Sequence, residues 1–432
     1  MPAIVRLAIG IPTRNRAELA MASIASVVRS GLAGITVVVS DNSTDRDEAE
    51  RLEEFCAGQP AAVVEYIRPP EPLAMAAHWE WLWHRIDETV SPSHVTYLTD
   101  RLVFTAGALA DLVEVIEAHP SQVVTYHWDH VKDLSTPVEL VQTPWTGQLL
   151  ELDCGKLIEM SSRGESGDYL PRLMTCIAPA ALLATIEKQF GDVFGSVSPD
   201  FRFAFRCLAV CETVLYLDRA CLIEHGMGRS AGGSYRRGNM SEDAARFARE
   251  LAVPRFGATP EPGFETTANA IFQEYCAVRD EVGGRRFPPP DRRGYLTANA
   301  LSVEQIQEPQ WRARMEDLLS RHGWTRRDRV RHSLGVALGM SAYLVRHPGA
   351  LRRTLKRQLW DRPPGAATAS LLERLGFDPR VRDDLRFESV EQAIAHADSH
   401  PRTPTPHAWH VHRLARAGAI AGQVGDGRAT RR

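Results

Sequence analysis

Two adjacent side chains of opposite charge, Asp100 and Arg101, stand where a short apolar stretch ends. Val95-Thr96-Tyr97-Leu98 reads as a buried strand, and Leu102-Val103-Phe104 as its resumption after a polar break. A carboxylate at the carboxyl end of such a strand lies where open α/β sheets bind ligands, and a neighbouring guanidinium adds a partner for anions. Further along, Ser198-Pro199-Asp200 sets a proline at the first position of a predicted helix, with a carboxylate in its first turn. There the helix dipole favours the ionised form. Arg229, Ser230, Gly232, Gly233, Ser234, Arg236 and Arg237 make a basic, glycine-rich run that reads as a mobile loop over Gly226–Gly238. It lacks the Gly-Lys-Ser/Thr ending of a nucleoside-triphosphate loop. No Gly-x-Gly-x-x-Gly follows the first strand either, which speaks against a dinucleotide-dependent oxidoreductase. Seven cysteines are scattered without the two-residue gap of a zinc knuckle, so neither a disulfide framework nor a cysteine zinc site is expected.

The elements that must position these groups follow from the hydrophobic periodicity. Continuous apolar runs at 7–11, 35–39 and 63–67 alternate with helical patterns at 17–29, 45–57, 73–88 and 107–119. A further strand is predicted at 123–127. Alternation of this kind predicts a parallel, doubly wound sheet with right-handed crossovers. Ser43 or Thr44 is the expected cap of the acidic helix at 45–57. Strands are expected again at 149–152 and 214–217, and helices near 179–190 and 200–211. In the helix at 73–88, Trp79, Trp81 and Trp83 cannot share one face, so most of this aromatic content is read as packing. A chain of 432 residues allows two or three domains. The texture changes near residue 240, after which helices are separated by Pro and Gly, as at Phe287-Pro288-Pro289-Pro290. Segment 321–362 combines eleven Arg and Lys positions with interleaved apolar residues, the pattern of a basic amphipathic surface helix. Residues 401–432 have the Pro, His, Gly and Arg content of a disordered tail. A formal charge of -3 gives no general attraction to nucleic acid. No segment has the length and apolarity of a membrane span, and the amino terminus is not built as a signal peptide. A cytoplasmic protein is expected, with the basic segment able to meet the inner face of a membrane.

Three segments carry a resemblance. Leu7-Ala8-Ile9-Gly10-Ile11-Pro12-Thr13-Arg14-Asn15-Arg16 resembles the opening strand and loop of glycosyltransferase family 2, enzymes of the GT-A fold. Val37-Val38-Val39-Ser40-Asp41-Asn42-Ser43-Thr44-Asp45 is similar to that family's acidic strand end. Tyr97-Leu98-Thr99-Asp100-Arg101 falls at its Asp-x-Asp motif, with Thr99 and Arg101 in place of the outer carboxylates. The match covers residues 7 to about 110 and weakens beyond it. The resemblance implies an α/β GT-A domain over residues 1–240 with a mixed, doubly wound sheet, followed by a mainly helical extension at 241–400.

It also implies an inverting transfer of sugar from a nucleotide-diphospho-sugar donor to a hydroxyl of a glycan, glycolipid or natural product. Pro12, Thr13, Arg14 and Asn15 would line the nucleoside pocket, Asp41 would accept a hydrogen bond from the base, and Asp100 would sit at the ribose and diphosphate. The family's base is a carboxylate at a helix start, which points to Asp200, with Asp168 as second candidate. The family's last motif carboxylate binds a divalent metal, and here Arg101 replaces it. Mg²⁺ or Mn²⁺ would then rest on Asp100, with His225 as a further ligand, or Arg101 would contact the diphosphate without a metal. The alternative reading is a GT-A nucleotide-binding scaffold without catalysis.

Overall fold

The computed structural model describes residues 5–195, 197–230, 233–234, 245–246, 249–250, 256–325, 327–332, 334, 341, 346 and 385–423. Most of the basic segment 321–362, and Gly232, Arg236 and Arg237 of the glycine-rich run, lie outside them.

The first four strands form as the apolar runs require. β1 (Leu7–Thr13), β2 (Ile35–Asp41), β3 (Val64–Ile67) and β4 (His94–Tyr97) pair in parallel in the order β4-β1-β2-β3. Successive side chains point to opposite faces, so the strands feed two separate cores. Leu7, Ile9, Ile11, Val37 and Val39 pack against helices α1 (Ala17–Val28), α2 (Arg46–Ala57) and α4 (Ala108–Ala118). Ala8, Val38, Val95 and Tyr97 face α3 (Met75–Val90) and the helices that follow. Gly10 belongs to this second face. A Cβ there would meet the Tyr97 ring at 2.9 Å and Leu82 at 3.0 Å, so only glycine lets α3 lie this close to β1.

Beyond β4 the sheet departs from the parallel expectation. After β5 (Leu102–Phe104) and β6 (Val124–Lys132), the chain passes through β7 (Val138–Val141), β8 (Leu149–Asp153) and α5 (Cys154–Ser162). It then inserts the four-residue β9 (Cys176–Pro179) antiparallel between β4 and β6. Helices α6 (Ala180–Phe190) and α7 (Pro199–Val210) follow, and β10 (Thr213–Glu224) runs parallel to β6 and antiparallel to β8. The full order is β12 (Ile420–Gln423)-β8-β10-β6-β9-β4-β1-β2-β3, with β5, β7 and β11 (Arg386–Phe387) off this path. The result is a mixed α/β sheet. The insertion of β9 is the physical reason, because β6 finds no free parallel neighbour at β4.

Past residue 256 the described chain is mainly helical. Helices at Thr267–Glu281, Arg292–Glu304 and Pro309–Arg321 enclose a small core of Phe264, Phe272, Tyr295, Val303, Met315 and Leu319. Residues 401–423 of the segment expected as a disordered tail are ordered. Trp409–Ala417 is a helix, and β12 (Ile420–Gln423) pairs antiparallel with β8 at the sheet edge. Polar ties hold this return of the chain: Arg402 pairs with the buried Asp129 at 2.6 Å, and the Thr405 N–H donates to the Trp145 carbonyl at 2.8 Å. A further strand, β11 (Arg386–Phe387), pairs with β7. The sheet therefore does not end with the amino-terminal half of the chain. Among the described residues no helix is long and apolar enough to cross a membrane.

Candidate functional site

The carboxyl ends of β1 and β4 and the start of α7 open onto one cavity of about 370 Å³. Pro12, Thr13, Arg14 and Arg16 reach it from the loop after β1. Thr99, Asp100 and Arg101 reach it from the β4–β5 junction, and Ser198, Pro199, Asp200 and Phe201 from α7. Asp100 and Asp200, a hundred residues apart, thus face the same space.

Asp100 is buried, and both of its oxygens are engaged. The Thr13 hydroxyl donates to Oδ2 at 2.9 Å, and the Arg16 guanidinium reaches Oδ1 at 3.3 Å. Arg101 turns to Glu224, at the end of β10, with 2.9 Å between guanidinium and carboxylate. Its carbonyl accepts the backbone N–H of His225. His225 itself is buried, and its Nε2 has no hydrogen-bond partner among the described residues. Burial lowers its pKa against the opposing pull of Asp100 and Asp133, so the ring is neutral at pH 7. Among the described residues, no group of three metal-ligating atoms gathers around Asp100 and His225. One carboxylate already held by a hydroxyl and a guanidinium is a poor match for a divalent cation that takes six or more oxygen ligands.

Asp200 lies in the first turn of α7, behind Pro199 at the first helical position. Burial raises its pKa above the usual carboxylate range, and Arg172, whose Nη1 lies 3.7 Å from Oδ2, works in the other direction. The Arg172 guanidinium lies over two aromatic rings, 4.8 Å from the Trp128 centroid and 5.2 Å from that of Phe201. The start of α7 is fastened from behind. Glu274, fully buried on helix 267–281, accepts the Ser198 N–H at 2.7 Å and the Arg202 Nε–H at 2.5 Å. Arg202 and Arg206 both continue to Glu281.

Other groups expected at the site stand behind it. Asp41 has no exposure, does not line the cavity, and accepts hydrogen bonds from the Ser43 N–H at 2.9 Å and the Tyr66 hydroxyl at 2.8 Å. Asn15 also lies outside the lining. With φ +55 it adopts the left-handed conformation that Asn tolerates better than most residues. Its side-chain oxygen accepts the Thr44 and Asp45 N–H groups, and its own N–H donates to Ser43 Oγ. These bonds lock the β1 loop to the β2 loop. Ser43 and Thr44 are thereby used, and Asp45 rather than either of them caps α2, accepting from the N–H groups of Asp47 and Glu48. Asp168 is exposed on a 3₁₀ turn and is not part of the lining. Of the three tryptophans of α3, Trp79 lines the cavity.

Several cavity residues carry no signal in the sequence. Arg172 sits in an irregular stretch, and Glu250 reaches Arg14 across 236 positions with both carboxylate oxygens, at 3.1 and 3.2 Å. Glu224 is different: a carboxylate closing an apolar run is the same sign that marks Asp100. His78, next to Ser40 Oγ at 2.6 Å, also faces the cavity, and burial brings its pKa down to about 3. Arg229 is the described part of the basic run that touches the site loop, donating to the Asn15 carbonyl at 2.9 Å.

No protein-family model and no curated protein matches the chain. Among solved structures, it is similar to TarS 1-349 of S. aureus in complex with UDP, at 13% identity and a TM-score of 0.41, over 74% of this chain and 93% of that one. For TarS 1-349 in complex with UDP-GlcNAc the values are 14% and 0.40, over 70% and 82%. Against a longer TarS chain they are 13% and 0.38, over 71% of this chain and 50% of that one, so the chain spans half the length of that neighbour. Similarity at this level assigns neither activity nor residue roles to this chain.

Proposed function

We propose that the protein is an inverting glycosyltransferase that takes a sugar from a nucleotide-diphospho-sugar donor to an acceptor hydroxyl on a glycan, glycolipid or natural product. The observation that carries the reading is the convergence of Asp100, Arg101 and Asp200 on one cavity at the carboxyl ends of β1 and β4. In the reaction, the acceptor oxygen bonds to the anomeric carbon as the bond from that carbon to the phosphate oxygen breaks. The acceptor proton passes to Asp200, whose pKa burial raises, making it a stronger base than a free carboxylate. The leaving nucleoside diphosphate takes the electron pair, and Arg14, Arg16 and Arg101, three of the arginines lining the cavity, meet its charge. No step is assigned to a metal ion, because the donor set around Asp100 does not suit one. Asp41 and Asn15 support this site from behind by fixing the two loops. The likeness to TarS structures holding UDP or UDP-GlcNAc agrees with a uridine nucleotide as the first donor to try.

Calorimetric titration of the purified protein with UDP, dTDP and GDP, with Mn²⁺ and then with EDTA, tests the donor. Binding that survives EDTA supports guanidinium-based recognition, whereas binding only with Mn²⁺ overturns it. No binding in either condition removes the donor reading. For the base, Asp200→Asn should lower transfer by about 10²- to 10⁴-fold, the usual worth of general-base catalysis, while nucleotide affinity stays as it was. Unchanged turnover in that variant takes Asp200 out of the role.

A further inference from the structure

Outside the lining of the cavity, three metal-ligating side chains meet beside β6 and β10. They are His127 on β6, Asp218 on β10, and His410 in the first turn of helix 409–417. Their ligand atoms all lie within 4.8 Å of one another. His410 Nε2 is 2.5 Å and His127 Nε2 3.7 Å from the same oxygen, Asp218 Oδ1. The Tyr216 hydroxyl joins them, 3.4 Å from Oδ1 and in contact with His127 Nε2. We propose that His127, Asp218 and His410 bind a zinc ion, with the Tyr216 hydroxyl at the fourth position, and that this ion fastens the carboxy-terminal segment to the sheet.

The geometry fits the element. Tetrahedral zinc with N and O ligands at about 2.0–2.2 Å needs ligand atoms about 3.3–3.6 Å apart, which the separations here bracket. The two imidazoles stand edge to face, with centroids 4.6 Å apart and planes at 85°, and both present Nε2 to the one oxygen. The carboxylate is also oriented from outside. Asp218 Oδ2 accepts the Thr146 N–H at 2.8 Å and the Thr146 hydroxyl at 2.5 Å, which leaves Oδ1 turned to the cluster. Second-shell bonds of this kind fix ligand direction in metal sites. Asp218 reaches the cluster from a bulge, because the pairing of β10 with β6 slips between Leu217 and Ala220. The side chains of Asp218, His127 and His410 are 0%, 7% and 17% exposed. Sealing of this degree suits a closed structural site rather than a catalytic one with an open position.

The location gives the ion its task. β6 and β10 are neighbours in the sheet, whereas His410 arrives 192 positions after Asp218. Helix 409–417 leads within three residues to β12, the strand at the sheet edge. An ion here would join two central strands to the helix at 409–417.

Tag-free protein, purified without added metal, should contain one zinc per chain by inductively coupled plasma mass spectrometry. After chelation and dialysis it should take up one equivalent of Co²⁺, with the intense visible bands of a tetrahedral site. Metal removal should also lower hydrogen-exchange protection of residues 409–423. Thr146→Val leaves every ligand in place and should weaken zinc affinity by about 10- to 100-fold. His410→Gln should abolish the cobalt bands. Should that variant fail to fold, the wild-type metal content and the Thr146→Val affinity still decide. A metal-free preparation that takes up neither Zn²⁺ nor Co²⁺ overturns the site and leaves a hydrogen-bonded His–Asp–His–Tyr cluster. Metal uptake with unchanged protection of 409–423 overturns the fastening role.

Discussion

Glu274→Ala tests whether the proposed base is held in place by the carboxy-terminal helices. Glu274 has no exposure and receives two donors, the Ser198 N–H at 2.7 Å and the Arg202 Nε–H at 2.5 Å. Truncation leaves the Ser198 N–H without its acceptor, which costs about 1–3 kcal/mol for a buried donor. It also halves the pairing of Arg202, which keeps Glu281 at 2.7 Å. Breaking a buried ion pair outright costs about 3–5 kcal/mol, and the surviving partner places this case at the lower end. The two terms share one group and do not add, so a loss of about 3–4 kcal/mol is expected. At an m-value of about 3 kcal/mol/M, that moves the urea midpoint down by about 1 M. Transfer should suffer with stability, because Ser198 and Pro199 start the helix that carries Asp200, and a misplacement of about 1 Å costs on the order of 10² in rate. Glu274→Gln should be milder. Burial raises the Glu274 pKa, with Arg202 opposing, and the neutral amide can still accept from Ser198. Urea unfolding followed by fluorescence, with single-turnover transfer on the same samples, measures both effects. A Glu274→Ala protein within about 0.5 kcal/mol of wild type, with wild-type transfer, would refute the argument that this carboxylate positions α7.

Two further outcomes follow from pKa shifts. Asp200 must be ionised to accept a proton, so the rate rises with pH through its pKa, and Arg172 is what holds that pKa down against burial. Arg172→Gln should therefore move the acidic limb of the kcat profile to higher pH; a limb that stays put or moves lower sinks the assignment. Asp129 is pushed up to about 6 from an ordinary 3.8 by burial, with Arg402 working against it. The folded state then holds this proton more tightly than the unfolded one, so the stability it contributes is lost as pH rises from about 4 to about 6. The stability difference between wild type and Asp129→Asn should change across that window and be flat above it. A difference independent of pH by urea titration contradicts the shift.

The sequence made some of this site legible because its signals are local. Asp100 ends an apolar run, and Asp200 follows a proline that can only begin a helix, so each announces its place without knowledge of the fold. The continuous apolar runs of β1 and β2 and the helical spacing of α1 likewise need only neighbours. What stayed hidden depends on distant pairing. The four residues of β9 have no period of their own, and their antiparallel insertion is settled by which strand edges are free. The ordering of 401–423 could not be read from its composition, because its support comes from Asp129, Trp145 and β8, more than 250 positions earlier. Asp41 shows the converse. Its position at a strand end is the same kind of signal as that of Asp100, yet Tyr66 and Ser43 turn it inward. Only the register of β3 against β2 reveals that Tyr66 is within reach.

The charge arrangement of the cavity leads to a last prediction. Each of four arginines there faces a carboxylate: Arg14 with Glu250 at 3.1 Å, Arg16 with Asp100 at 3.3 Å, Arg101 with Glu224 at 2.9 Å, and Arg172 with Asp200 at 3.7 Å. At any of these four, a diphosphate gains the cation only by displacing its carboxylate. The carboxylate that yields should be the one that loses least on release into water. Glu250 is 30% exposed, against 5% for Asp100, 16% for Glu224 and 18% for Asp200. Arg14 is thus the guanidinium most readily surrendered to a ligand. A pair this accessible to solvent is worth up to about 1 kcal/mol. Glu250→Gln should accordingly tighten nucleoside-diphosphate binding by about 2- to 5-fold, while Arg14→Gln weakens it. Calorimetry at low and at high salt measures both variants, and the gain in Glu250→Gln should shrink as salt screens the exposed carboxylate. If Glu250→Gln binds more weakly than wild type, Glu250 is not a competitor that the ligand displaces, and the exchange of partners at Arg14 is wrong.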